Sequence, residues 1–452
     1  MNESGVKIEV HLIQNFAPSN LNRDDTGQPK SAYFGGFRRA RISSQSSKRA
    51  TRLWWREHNS ANLGYRTKRL QQLIGERLAE DSAFVAMVPD ERVRKEGIRL
   101  FTDAYYAASD TRKPDTTNVL IFISPDEVDA CADAIKEIWD EPAGATGARG
   151  KSRSDSPTYY IAQALERVAD LAERQGESGE TDSAGEESEL DEKASSRPGA
   201  AKKKMLGIRK DIAERIAKAH VSADIALFGR MLAEQPDRAT DGACQVAHPI
   251  STHKVDMEMD YYTAVDDLNP AEETGAGMLG EIGFNSACYY RYALVDRDQL
   301  ARNLARKTQR KNGKWSEELT DADYAEADKV IRAFLEAMVY AIPSGKQNSF
   351  GARNLPSFGL FIRLKDGVPV SLANAFAKPI RPTPDDDDLV GLSVAALGKH
   401  WQELERVYGN RGVQTAAYFQ VGQESRLAGL PGDDKGSVAA AIDAVMAAGR
   451  TP

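Results

Sequence analysis

Cysteine is scarce in this chain. Its 452 residues hold three, Cys131, Cys244 and Cys288, an odd number set far apart. They exclude a disulfide framework and a CxxC metal knuckle, and they read as buried thiols of a reducing compartment, the cytoplasm. Long apolar runs are missing as well; none reaches the roughly 18 residues of a membrane span. The opening residues Met1-Asn2-Glu3-Ser4 are polar and acidic where a secretory leader carries cations and an apolar stretch. Six histidines are scattered, and the paired acids Asp24-Asp25 and Asp266-Asp267 have no third ligand at metal-site spacing. The expectation is a chain without metal, cofactor or catalytic residue. What is present, 41% hydrophobic and 28% charged residues, suffices for a globular core in one elaborated domain or two to three modules.

The net charge of −7 argues against a nucleic-acid partner only until its distribution is read. Residues Glu177 to Glu192 carry eight acids and no base, and without them the remaining chain stands at +1. From Thr26 to Arg56 the balance reverses: Lys30, Arg38, Arg39, Arg41, Lys48, Arg49, Arg52 and Arg56 are accompanied by no acid. Such asymmetry separates a polyanion-binding face from a solvated tail.

Val6, Ile8, Val10 and Leu12 alternate with Lys7, Glu9 and His11, which predicts a half-buried strand. The stretch from Ala17 to Gly36 reads as one long loop, and Ser43 or Ser44 then caps a helix through Arg56. Residues from about 61 to 220 read as mainly helical, with a short strand near Val119–Ile123. Ser124-Pro125-Asp126-Glu127 starts a helix through Trp139. The acidic Gly/Ser tract near 175–200 has too little apolar material to fold. Beyond 221 the pattern turns β-rich, with strands at Cys288–Leu294 and Leu360–Leu364 and a hairpin turn at Lys365-Asp366-Gly367 into Val368–Val370. Val330, Ile331, Phe334, Leu335, Met338 and Val339 form a helix stripe between those strands. The fold class is α+β, a split βαβ, ferredoxin-like core with a helical insertion.

Three segments have the chemistry to bind RNA. Phe34-Gly35-Gly36-Phe37-Arg38-Arg39-Ala40-Arg41 offers cations for phosphates, glycines for close backbone approach, and aromatics able to stack on bases; the plain alternative is a solvated basic face. Arg230-Met231, His253 and Tyr261-Tyr262-Thr263 form a second group, whose tyrosines either stack a base or fill a core. Ser344-Gly345-Lys346-Gln347 is polar and cationic, a phosphate cradle or an ordinary helix-to-strand loop.

These residues resemble the CasC (also called Cse) family, the CRISPR RNA (crRNA)-binding backbone of type I-E Cascade. The likeness runs through Ile8–Phe16, Ser19–Asp25, Phe34–Gly36 and Arg38–Ala50, then Asp224–Met231, Ala247-His248, Thr252–Asp256 and Tyr262–Leu268. Tyr289–Ala293, Pro343–Gln347 and Leu372–Phe376 complete it, so that about half the chain is covered in order. The resemblance implies a right-hand shape. An RRM-like palm (1–60, 221–250, 281–452) carries helical fingers (61–220) and a β-hairpin thumb (251–280). Copies polymerise head to tail on one crRNA, and each thumb kinks the RNA and flips out a base. Asn22, Arg23, Lys30, Arg38, Arg39, Arg41, Ser43, Gln45, Lys48, Arg49, Arg52, Arg230, His253, Lys346 and Gln347 are then RNA contacts. Met231 wedges beside the displaced nucleotide and Tyr261, Tyr262 and Thr263 stack at the kink, while Lys202, Lys203, Lys204 and Lys210 guide DNA.

The implied partners are crRNA, the target DNA strand, further copies of the chain, and the large, small, crRNA-processing and 5′-handle-binding Cascade subunits. A recruited helicase-nuclease joins them, and no membrane. Two departures stand out: the tract from Gly176 to Pro198 has no counterpart in the family, and Tyr261 stands where the family has tryptophan. Two other readings remain, a type III-like backbone cutting RNA with Asp24 or Asp25, and an RRM-type endonuclease using His253 as general acid or base.

Overall fold

The computed structural model describes residues 5–140, 210–231, 239–264, 278–311, 314–422 and 426–447. They divide into two compact units. The first comprises residues 1–62, 226–228 and 242–452; the second comprises 63–225 and 229–241. The acidic tract and Lys202, Lys203 and Lys204 lie outside the described residues.

The first unit is built on one mixed sheet. Its strands are β1 (Val6–Ser19), β4 (Cys244–Val246), β5 (Ile250–Ser251), β6 (Glu258–Ala264), β7 (Met278–Asp296), β8 (Phe358–Lys365), β9 (Val413–Gln420) and β10 (Asp433–Asp434). The order across the sheet is β10-β9-β8-β1-β7-β4, with β5 and β6 also paired to β7. All pairings are antiparallel except β9 with β10. The inner order β8-β1-β7-β4 is that of a split βαβ unit, with β9 and β10 added at one edge. A separate hairpin, β2 (Ser31–Phe34) with β3 (Phe37–Ala40), precedes helix α1 (Ser44–His58). The 17–36 stretch is therefore not one loop: β1 reaches Ser19, and the chain from Ser31 is already folded.

β1 corrects the expectation of a half-buried strand. Ile8, Val10 and Leu12 are buried, and so are Lys7, Glu9 and His11 on the other face. That second face lies in the cluster of Ile13, Tyr290, Tyr292 and Leu360, capped by Val394, Leu397 and Trp401 of helix α2 (Leu389–Tyr408). Burial of polar groups is tolerated where they find hydrogen bonds. His11 Nδ1 meets the Tyr290 hydroxyl at 2.9 Å, and Glu9 Oε1 accepts from the Tyr292 hydroxyl at 3.1 Å and the Val370 amide at 2.6 Å. On the opposite face, Arg363 of β8 donates to the Val445 carbonyl of helix α3 (Val438–Ala447).

The expected hairpin after Lys365 does not form. Asp366 turns the chain at φ 50°, but the antiparallel neighbour of β8 is β9. Pro369 has no N–H for a ladder, and Glu9 takes the Val370 N–H.

In the second unit, helices Leu70–Ala79, Ser82–Met87, Glu91–Tyr105, Pro125–Asp140 and Lys210–Lys218 enclose a core that includes Ile74, Phe84, Phe101, Ile135 and Ile216. The strand there is Ile121–Ile123, with Val119 and Leu120 exposed ahead of it. Ser124 and Glu127 form the expected reciprocal cap: the Glu127 amide donates to Ser124 Oγ at 3.1 Å and the Ser124 amide to Glu127 Oε2 at 2.9 Å.

Trp55 fastens α1 to the first unit. It is fully buried, its Nε1 donates to the Ala333 carbonyl at 2.9 Å, and its ring stacks on Phe228 at 5.9 Å. Trp55→Ala is expected to lower unfolding free energy by about 3–5 kcal/mol, read by urea denaturation.

Candidate nucleic-acid interface

The basic segment begins where β1 ends. Asn20, buried, donates from Nδ2 to the carbonyls of Gly27 (3.0 Å) and Gly283 (2.9 Å) and so closes the following loop on itself. Asp24 Oδ1 shapes the loop from within, accepting from the Thr26 amide (3.0 Å), the Thr26 hydroxyl (2.7 Å) and the Gln28 amide (3.0 Å). The Thr26 hydroxyl bond, first among these, holds the Asp24 carboxyl below the usual carboxylate range. This oxygen is a turn-forming acceptor, which leaves the RNA-cutting reading of Asp24 without support.

Asn22 Oδ1 accepts from the Ser43 amide at 2.8 Å, joining the loop to the start of α1. Ser43 is the N-cap, its hydroxyl accepting from Ser46 N at 3.3 Å. These bonds make both residues parts of the scaffold that presents the site. No acid occupies the first turn of α1, so the partial positive charge of its N-terminus is not offset within the helix itself.

Helical spacing places Gln45, Lys48, Arg49, Arg52 and Arg56 on one side of α1, opposite the buried Ser47, Ala50, Thr51 and Trp55. Lys48 rests its ammonium over the Phe228 ring, 5.3 Å from the centroid. Arg49 is exposed and its Nη1 donates to Ser344 Oγ at 3.4 Å. The Ser344-Gly345 loop lies directly on the β1 loop, since a Cβ at Gly345 would overlap the Leu21 carbonyl oxygen. Two segments far apart in sequence thus meet around an open groove of about 440 Å³, lined by Asn22, Arg23, Asp25, Ser46, Arg49 and Ser344 among others. Arg23 and Arg49 have no carboxylate partner among the described residues. Two guanidiniums and small polar side chains suit phosphate oxygens rather than base edges, and the carboxylates of Asp24 and Asp25 line the same groove.

Other expected residues extend this surface or leave it. Lys30 follows the loop, its amide donating to the Asn22 carbonyl at 2.9 Å. Arg41 donates to His248 Nδ1 at 2.8 Å, which fixes that histidine as an acceptor, and burial with Arg41 nearby lowers its proton affinity. Lys346 adopts φ 50° at the start of a short helix. Gln347 is a correction: its amide Nε2 donates to the Pro343 and Ala352 carbonyls, so it braces its own loop.

Arg39 is a second correction. It is fully buried and donates to the carbonyls of Ser251 (2.9 Å) and Phe376 (2.6 Å), so it tethers β3 to the sheet instead of meeting a phosphate. Arg230, in the second unit, is likewise buried, on Glu127 Oε2 at 2.7 Å and the Phe122 carbonyl at 3.1 Å. Met231 beside it is 89% exposed. Lys210 opens a helix of the second unit. His253 is a third correction. Its Nδ1–H donates to the Lys254 carbonyl at 2.7 Å and its Nε2 accepts from the Cys288 amide at 3.2 Å, leaving no ring nitrogen for acid–base chemistry.

Tyr261, Tyr262 and Thr263 stand on the hairpin of β6 with the first part of β7. The tyrosines do not fill a core: Tyr261 is 74% exposed and Tyr262 lies across Gly280, where a Cβ would collide with its ring. Sequence reading placed Ser344 in a candidate phosphate cradle but missed Ser46, which carries no charge and whose spacing from Ser43 was the available signal.

Three predictions follow from this geometry. Arg39→Ala is expected to destabilise the fold by about 2–4 kcal/mol, because two carbonyls lose their donor. Arg49→Ala should leave melting unchanged while weakening RNA binding and reducing its salt slope by about 1. Denaturation and salt-titrated binding separate the two. The third concerns pH. Burial depresses the His253 proton affinity below its ordinary value of 6.5, so the unfolded chain takes up this proton first as pH falls. The His253 contribution is present above about pH 6.5 and lost below it. The melting temperature should therefore drop more steeply from about pH 7 to about pH 5 in the native chain than in His253→Gln, whose amide reproduces both bonds.

No curated protein matches the chain. Among solved structures, a chain of a "CRISPR RNA-guided surveillance complex, pre-nicking" is similar with a TM-score of 0.70 and 26% identity, covering 98% of this chain and 99% of that one. A chain of another "CRISPR RNA-guided surveillance complex" gives a TM-score of 0.62 at 22% identity, over 98% and 99%, a likeness of fold. A family model described as CT1975-like protein matches residues 8–444, and the chain belongs to that family.

Proposed function

We propose that the chain is a crRNA-binding, non-catalytic backbone subunit of a CRISPR RNA-guided surveillance complex of type I-E character. Several copies assemble head to tail along one guide RNA. The observation that carries this reading is the groove between the β1 loop, the N-terminus of α1 and the Ser344-Gly345 loop, whose guanidiniums and small polar side chains suit a phosphodiester backbone of any sequence. A guide-carrying subunit needs this indifference, because base pairing between guide and target does the sequence reading. The likeness to surveillance-complex chains over almost the full length of both supports the same reading.

In this proposal the first unit is the palm, with Arg23, Lys30, Gln45, Lys48, Arg49, Arg52 and Lys346 along the RNA, and the second unit is the fingers. The β6–β7 hairpin is the thumb, its Tyr261 stacking where the RNA kinks, and Met231 is the wedge beside the displaced nucleotide. Target DNA, the other Cascade subunits and a recruited helicase-nuclease complete the assembly. Among the described residues no helix is long and apolar enough to cross a membrane.

Native mass spectrometry of the chain co-expressed with a repeat-spacer RNA tests this directly. The expected species is one intact RNA carrying several subunits, lost in Lys48→Ala/Arg49→Ala. A chain that stays monomeric, or that returns shortened RNA, contradicts the proposal.

A further inference from the structure

The β2–β3 hairpin carries an exposed aromatic that the groove does not use. Tyr33 is 81% exposed, more than any other large apolar or aromatic side chain among the described residues except Met231. In the hairpin register Tyr33 stands directly opposite Arg38, and Phe34 opposite Phe37. Alternation then puts Ser31, Tyr33 and Arg38 on one face and Phe34, Phe37 and Arg39 on the other. The second face is turned inward. Arg39 is buried with its guanidinium 5.8 Å from the Phe34 ring centroid, and Arg381 lies 5.7 Å from that of Phe37. The stacking aromatics expected from the sequence, Phe34 and Phe37, are thus engaged by protein cations, and the available ring is Tyr33.

The hairpin is held rigidly enough to present it. Gly35, at φ 60°, lies so close to Ala377 that a Cβ would overlap the carbonyl oxygen. The Val255 amide donates to the Arg38 carbonyl at 3.1 Å, and the Arg39 tether fixes the strand from below. Arg38 Nε donates to Ser31 Oγ at 3.2 Å, which keeps its guanidinium over the outward face, and among the described residues it has no carboxylate partner. Directly opposed cross-strand side chains sit about 5 Å apart at Cβ. An exposed ring beside an uncommitted guanidinium, in a segment with no acid from Thr26 to Arg56, suits an unpaired nucleobase and its phosphate.

We propose that Tyr33 is a base-stacking platform for single-stranded RNA, with Arg38 as its cationic partner. The proposal rests on the RNA-binding reading given above and adds to it a nucleotide contact outside the groove. Stacking is indifferent to base identity, because every base has a π-face, so the contact suits a guide of any sequence.

The test compares the native chain with Tyr33→Ala, Tyr33→Phe and Arg38→Gln on single-stranded RNA carrying 2-aminopurine at each position in turn. The native chain and Tyr33→Phe are expected to quench the fluorophore at one recurring position. Tyr33→Ala should lose that quenching and bind a short oligonucleotide roughly tenfold more weakly, with an unchanged melting temperature, and Arg38→Gln should fall between. If Tyr33→Ala binds and quenches like the native chain while Lys48→Ala/Arg49→Ala loses RNA, the stacking role is overturned and the RNA-binding reading stands. A native chain that binds no RNA overturns both. Self-association of the RNA-free chain that is lost in Tyr33→Ala overturns the proposal by marking Tyr33 as a contact between copies.

Discussion

The site depends on a strand that is hydrogen-bonded along both edges and covered on both faces. From Lys7 to Ile13 β1 is paired with both β7 and β8, and over that stretch its polar residues as well as its apolar ones are interior, while pairing with β7 alone continues toward Ser19. Lys7, Glu9 and His11 are tolerated there because tyrosine hydroxyls and backbone groups meet them, Lys7 reaching the Gly367 carbonyl. A strand so constrained gives its C-terminal end little freedom. A few side-chain bonds, from Asn20, Asn22 and Asp24, then suffice to hold the loop that follows in one shape. The groove is therefore a loop site on a rigid support, the usual arrangement for recognition.

The cations of the 26–56 segment show how burial divides residues of one type between two tasks. Arg39 and Arg49 have the same side chain and lie close in sequence. The first is enclosed, pays desolvation, and is compensated by carbonyls; the second stays in water and keeps its charge available. A phosphate contact must be of the second kind, since a ligand cannot reach an enclosed guanidinium without opening the sheet. Arg230 with Glu127 belongs to the first kind, and there an ion pair joins a carbonyl, that of Phe122.

What was legible in the sequence follows the range of the interaction concerned. The Ser43 cap, the Ser124–Glu127 capping box and the basic face of α1 are set within a few residues, and each stands where the pattern placed it. The burial of Lys7, Glu9 and His11 was not legible, because it is imposed by α2, hundreds of residues later, lying across a face whose own residues look solvent-facing. The same holds for the hairpin expected after Lys365, displaced by pairing with β9, and for the meeting of Ser344 with Arg49. The inward turn of Phe34 and Phe37 was not legible for a subtler reason. Phe34, Phe37 and Tyr33 sit on one short hairpin, and which parity faces inward is decided by what packs beneath it.

The contact between Tyr262 and Gly280 bears on how the β6–β7 hairpin behaves as a mechanical element. Every described residue of β6 is exposed, so this arm has no core, and two strands alone make a weak beam. A ring laid across a glycine on the neighbouring strand ties the pair sideways and resists their sliding. The adjacent tyrosines therefore divide the labour unequally. Tyr262 is a strut that stiffens the arm, and Tyr261 is the free end whose position that stiffness controls.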